Sequence, residues 1–287
     1  MDKFNFGVDS FIWTEVFSEN DIWIIPKAKE LGFDTVDLAV AYPETFPLEK
    51  VLEAKEQTGL DLVTTTTLGL ETNPISPDPE IRKNAVKHMK KMVDINIALK
   101  SKILGGVIYA GWGYITKKPR TAEEWDLSVT FMKEIANYAL DNWDGILAVE
   151  CINRFETHFL NIAADAVQYC KDVGTENMKV HLDCFHMNME EKSFSGAIKT
   201  CGNKYLGYMH VNENDRGIPG TGLVPFKELF EALKEVNYTG PLTIESFDPS
   251  FEELSGNCAI WRKLADSGED LAIKGLANLK EIERSMH

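Results

Sequence analysis

Apolar positions along this chain alternate between two spacings. Short runs, alternating or continuously apolar, give way to longer runs with apolar residues three and four apart. The first kind predicts strands and the second amphipathic helices. "FNFGVDSFIW" (4–13) precedes a helical stretch over 21–31, "DTVDLAV" (34–40) one over 48–58, "DLVTTTT" (61–67) one over 80–99, and "KILGGVIYA" (102–110) one over 121–142. "GILAVE" (145–150) then precedes 163–173, "MKVHLDCFH" (178–186) precedes 194–201, "YLGYMHVN" (205–212) precedes 226–236, and "GPLTIESF" (240–247) precedes 260–284.

Gly32, Gly59, Gly145, Gly174 and Gly240 fall near strand starts, where a left-handed helix end or a tight turn favours glycine. Pro26 lies inside the first helical stretch, so that helix should begin or kink there. Strand-then-helix repetition implies a parallel sheet covered by helices. Eight such repeats in 287 residues, with no linker-like segment, predict an α/β fold: a single-domain (β/α)8 TIM barrel over 1–287, its C-terminal helical segment 258–287 closing the exterior. A doubly wound sheet would need a phosphate-cradling GxGxxG after the first strand, and "GVDSFIWTEVF" has none.

Charge narrows the function. The 30 basic and 45 acidic side chains give a net charge of −15, which repels nucleic-acid backbones and anionic membranes. The five cysteines include no CxxC pair and read as free thiols of a reducing compartment. With no signal-peptide pattern at the start and no apolar run of membrane-spanning length, the expected location is cytoplasmic.

In such a barrel the chemistry belongs at the C-terminal ends of the strands. Glu150, Asp183, His210 and Glu245 lie there, one on each of the last four predicted strands. Singly each has a bland explanation: a solvated strand-end carboxylate for Glu150 or Glu245, a helix cap for Asp183, a satisfied core histidine for His210. Four equivalent positions in consecutive repeats favour one shared purpose, a metal site. Three carboxylates and one imidazole make a hard, oxygen-rich set that suits octahedral Mn²⁺, with Co²⁺ or Mg²⁺ as alternatives, better than closed tetrahedral zinc.

Four segments carry a resemblance: "VECINRFETHFLN" (149–161), "HLDCFHMNMEEKSFSGAI" (181–198), "HVNENDRGIPGTGLVPF" (210–226) and "NYTGPLTIESF" (237–247). They resemble the ketose 3-epimerases, the D-tagatose and D-allulose (psicose) 3-epimerase family of xylose-isomerase-like barrels, most densely from Gly105 to Phe247. The resemblance implies metal ligation by Glu150, Asp183, His210 and Glu245, and a grip on the C1 to C3 end of a free ketose by Glu156, His186 and Arg216. It implies inversion at C3 through a cis-enediolate, with Glu150 and Glu245 exchanging the roles of base and acid. It also implies a homodimer or homotetramer.

Trp112 matches the family's fourth strand end and is expected to cover the sugar or to pack under a loop. "SFIWTEVF" and "TTTTLGL" depart from the family pattern and should wall the C4 to C6 end, so the sugar itself stays open. The basic loop 117–120 is expected to be a solvated charged loop rather than a phosphate site. His158 and His181 are expected to be structural or solvent-facing, and His88 to lie on a helix exterior.

Rival readings share the barrel. A hydroxypyruvate isomerase-like or inosose dehydratase-like enzyme would use the same metal set. An endonuclease IV-like enzyme would need more histidines and a basic face, and a non-catalytic sugar-binding barrel would bind without turnover.

Overall fold

Eight parallel strands close in chain order into a barrel in the computed structural model, which describes residues 3–286. They are β1 (Asn5–Asp9), β2 (Thr35–Ala39), β3 (Asp61–Thr65), β4 (Ile103–Gly106), β5 (Ile146–Glu150), β6 (Met178–Asp183), β7 (Leu206–His210) and β8 (Pro241–Ile244). The helices are α1 (Ile24–Leu31), α2 (Leu48–Thr58), α3 (Pro79–Leu99), α4 (Ala122–Asn142), α5 (Ala163–Val173), α6 (Cys184–Glu190), α7 (Phe194–Tyr205), α8 (Phe226–Glu235), α9 (Glu252–Asn257) and α10 (Gly268–Arg284). The fold is the predicted TIM barrel.

Local chemistry sets the helix ends. At α4, Thr121 and Glu124 form a reciprocal capping box; at α3, Asp78 caps and Pro79 occupies the first helical position. Pro26 lies in the first turn of α1, the start allowed by its missing N–H. Gly32, Gly59 and Gly174 end α1, α2 and α5 in the left-handed conformation. Gly145 and Gly240 act differently: a Cβ there would meet the Trp143 ring at 2.1 Å and the Tyr238 hydroxyl at 2.4 Å, so each is a close approach.

Several strands stop earlier than their apolar runs. β1 ends at Asp9, whose carboxylate accepts the Phe11 amide at 2.6 Å and turns the chain into a short 3-10 turn. β4 ends at Gly106, with φ of 112°. β6 ends at Asp183, which caps α6 by accepting the Phe185 and His186 amides, so His186 sits on the first turn of a helix. The last helix begins at Gly268 instead of 260, and the preceding connection carries the extra helix α9.

Most of the core lies between the strands and the helical ring. A smaller cluster of Val63, Ile103, Ala148 and Tyr208 fills part of the barrel interior. Above it the inward positions become polar. In register Asp9 pairs with Asp37, Glu150 with His181, and Asp183 with His210. A register shift between β6 and β7 pairs Val180 with Leu206 but His181 with Tyr208. Since side chains alternate with a period of two, the shift determines that Asp183 and His210 face inward side by side.

Candidate active site

Nδ1 of His210 lies 3.4 Å from Asp183 Oδ2 and 3.7 Å from Glu245 Oε1. Ligand atoms of Glu150, Asp183 and His186 lie within 4.8 Å of one another, as do those of Glu150, His181 and His210, and of Asp9, His210 and Glu245. His210 thus faces both Asp183 and Glu245, and Glu150 lies near Asp183 in one group and near His210 in another, so the four expected ion ligands are spread over three overlapping groups; Asp183 caps α6 with one oxygen while turning the other toward His210.

Burial makes this arrangement costly without a cation. Asp9, Asp37, Asp183 and His210 are at most 1% exposed, Glu150 7% and Glu245 8%, and the nearby fixed cation is Arg216. Burial opposes charging His210, yet Glu245, Asp183 and Asp37 around it hold its proton affinity well above the ordinary value. Glu150 is pushed well up by burial and then by the charge of Glu245. Burial pushes Glu245 up too, but Arg216, with Nη1 at 3.0 Å, and His210 outweigh it and bring the carboxyl below its usual range.

A second observation fits a metal here. His210 Nδ1 is buried and has no hydrogen-bond partner, while Nε2 sits 3.3 Å from Asp37 Oδ2. Asp37 in turn accepts from Tyr208 at 2.6 Å and Thr65 at 3.0 Å. A carboxylate behind one ring nitrogen that frees the other for an ion is the usual support of a ligating histidine. The donor set is rich in oxygen and suits a hard divalent ion.

Above these residues opens a cavity of about 270 Å³. Glu150, Glu245, Glu156, His186, Arg216 and Trp112 all line it. The Arg216 guanidinium lies between the Phe185 and Phe247 rings, 4.4 and 4.5 Å from their centroids, and its Nη2 is 3.2 Å from His186 Nε2. Trp112 donates from Nε1 to Glu156 Oε2 at 2.8 Å, which ties the β4 loop to the β5 loop. Glu15, Tyr42, Glu253 and Asn257 line other parts of the cavity. The "SFIWTEVF" segment therefore reaches the wall, through Phe11, Glu15 and Val16.

Arg216 holds a left-handed φ of 61°. Its loop is pinned by Glu213, fully buried, which accepts the amides of Asn214, Val224 and Gly220 at 2.9–3.0 Å. Asp9, Asp37, His181 and Glu213 were not among the residues expected from sequence. The signal was present for Asp9 and Asp37, since "FGVD" and "TVDLA" place acids near strand ends as "ILAVE" does.

One histidine expectation changes. His181 is fully buried beside Glu150, which leaves the structural of its two expected places, whereas His88 is partly buried on α3, with its Nε2 2.9 Å from the Thr66 hydroxyl just past β3. His158 is structural, with Nδ1 3.0 Å from the Tyr114 carbonyl oxygen. In the basic loop, Arg120 pairs with Asp165 at 2.9 Å and lies 4.4 Å from the Trp125 ring centroid, which ties it into the protein surface.

Residues 25–282 match the xylose isomerase-like TIM barrel family. The chain is 31% identical to a D-psicose 3-epimerase of Ruminiclostridium cellulolyticum, covering 92% of this chain and 91% of that one. It is also 31% identical to a ketose 3-epimerase of Arthrobacter globiformis, covering 96% and 95%. A crystal structure of a Methylomonas sp. D-allulose 3-epimerase in complex with D-allulose superposes with a TM-score of 0.91 at 30% identity, covering 98% of each chain. With its barrel, its polar mouth and these relatives, the chain belongs to the ketose 3-epimerases of the xylose isomerase-like TIM barrel family, and it is an enzyme of the isomerase class.

Proposed function

We propose that this protein is a metal-dependent ketose 3-epimerase that inverts C3 of a free 2-ketose, of the D-tagatose, D-fructose, D-allulose or L-ribulose type. The observation that carries the reading is that two carboxyls, Glu150 from the end of β5 and Glu245 just after β8, reach one cavity from different parts of the barrel wall. Inversion requires a proton to leave one face of C3 and return to the other, which two separate carboxyls can perform and one cannot.

Glu150, Asp183, His210 and Glu245 would hold the ion, with Mn²⁺ the best match and Co²⁺ or Mg²⁺ as alternatives. When bound, a divalent cation supplies positive charge that polarises the C2 carbonyl and acidifies the C3 proton. Arg216 and His186 orient the C1 to C3 oxygens by donating to them, and Glu156 accepts from a hydroxyl while Trp112 steadies it. One glutamate takes the C3 proton to form the cis-enediolate, and the other delivers a proton to the opposite face. Which acts first depends on which epimer is bound.

A neutral sugar suits the cavity, because Glu15 and Glu253 are among its lining residues and Arg216 is already paired with Glu245. The reading includes a cytoplasmic homodimer or homotetramer. Support for the compartment is that the five cysteines are free and that, among the described residues, no helix is long and apolar enough to cross a membrane.

The test is turnover of D-fructose, D-tagatose, D-allulose and L-ribulose by metal-free protein reconstituted with Mn²⁺, Co²⁺ or Mg²⁺, followed by NMR in deuterium oxide. C3 epimers with deuterium at C3 are the expected products. Sugar binding without any exchange at C3 would replace the reading with a non-catalytic one, and exchange at another carbon would point to a related isomerase or dehydratase.

A further inference from the structure

His181 is unusual among the buried polar residues of the barrel. Its side chain is fully buried, and neither ring nitrogen has a hydrogen-bond partner. A neutral imidazole carries one donor and one acceptor, and leaving both unmet in an apolar interior is unfavourable. The ring is surrounded by groups that bind cations. Nδ1 lies 3.8 Å from Glu150 Oε2, and the ring centroid is 4.2 Å from that of His210, edge to face at 85°. One ligand atom from each of Glu150, His181 and His210 lies within 4.8 Å of the others.

We infer that Glu150, His181 and His210 form a second cation position, shifted toward β6 from the one assigned to the four mouth residues, and selective for a borderline metal such as Zn²⁺. Two imidazoles and one carboxylate are a donor set that zinc accepts in three-ligand, open sites. Tetrahedral zinc with bonds of about 2.0–2.2 Å places its ligands roughly 3.4 Å apart, so the Glu150 to His181 separation needs only a small adjustment. A hard ion keeps to the carboxylates, whereas an ion with more affinity for nitrogen gains a second imidazole by moving toward β6. Glu150 lines the open cavity and gives the ion a way in.

The two positions share Glu150 and His210, so one subunit fills one or the other. On the epimerase reading above, zinc in the second position would occupy Glu150 and His210, exclude the ion from the position beside Asp183 and Glu245 where it would polarise the ketose, and so inhibit; the binding claim itself needs no turnover.

The experiment titrates metal-free wild type and His181→Gln with Zn²⁺ and, separately, with Mn²⁺ against a chelator of known affinity. The expected result is that H181Q lowers Zn²⁺ affinity by about tenfold or more while Mn²⁺ affinity changes less than about twofold, the retained Mn²⁺ binding also reporting an intact barrel. Unchanged Zn²⁺ affinity, or equal loss of both ions, overturns the inference. Should H181Q fail to fold, X-ray absorption at the zinc edge of Zn²⁺-loaded wild type decides: two imidazoles around the ion support the position, and one or none overturns it. Wild type that binds Zn²⁺ but no Mn²⁺ or Mg²⁺ would instead count against the epimerase assignment.

Discussion

Oδ2 of Asp37 lies 3.3 Å from Nε2 of His210, with both side chains at most 1% exposed. This contact joins β2 to β7 across the barrel and leaves Nδ1 of the ring turned toward Asp183 and Glu245. A change of Asp37 should therefore act on the ion without touching the sugar. Asp37→Asn is expected to weaken Mn²⁺ binding by about 10- to 100-fold, measured by chelator competition. Affinity equal to wild type would show that the ring needs no carboxylate behind it.

Glu150→Gln and Glu245→Gln should each slow epimerisation by about 10²- to 10⁴-fold, the usual worth of a general acid or base. Because both residues are also proposed ion ligands, Mn²⁺ affinity must be measured on the same samples. Deuterium exchange at C3 under saturating Mn²⁺ separates the two roles. Exchange at the wild-type rate in either variant would remove that residue from proton transfer.

The loop that carries Arg216 to the cavity is held by Glu213, whose oxygens accept three backbone amides. Glu213→Gln keeps the shape but gives up charge-assisted acceptance, with an expected loss of about 1–3 kcal/mol in denaturant melts. On the proposed role of the guanidinium in orienting substrate, the KM for the ketose should rise more than kcat falls. An unchanged KM would mean the loop keeps its form without this anchor.

His88 links stability to acidity away from the site. Burial lowers its pKa from 6.5 to about 4, so in the folded protein the ring stays neutral where the unfolded chain takes up a proton. Between those values the unfolded state binds more protons, and stability rises with pH. The contribution is fully present above about pH 6.5, is lost progressively toward pH 4, and amounts to about 3 kcal/mol at most. Stability from urea melts should rise more steeply between pH 4 and pH 7 for wild type than for His88→Gln. Parallel curves would exclude the ring as a source.

Closure of the barrel and the place of its polar residues were legible in the chain because both depend on period. Apolar runs that recur with helices between them have few ways to bury both faces, and a carboxylate at a strand end such as Glu150 or Glu245 has only the mouth to occupy. His88 was misplaced, and His181 was left between two places, for the same reason: periodicity says which face a residue takes, not what stands opposite. His88 occupies a partly exposed helical position, yet it leans on Thr66, just past β3 of its own repeat. His181 alternates inward like its neighbour Asp183, but its nearness to Glu150 depends on how β5 and β6 stack.

By itself the sequence determined eight strand-and-helix units, a strongly acidic surface and interior, and the acids and imidazoles that reach the mouth, because spacing and residue chemistry are local properties. Only the tertiary structure decided that Asp9 and Asp37 join that group, that His210 turns Nε2 to Asp37 and Nδ1 to Asp183 and Glu245, and that Arg216 lies between Phe185 and Phe247. Those outcomes rest on register between strands and on contacts between segments distant in the chain, which closing the barrel creates and no local pattern encodes.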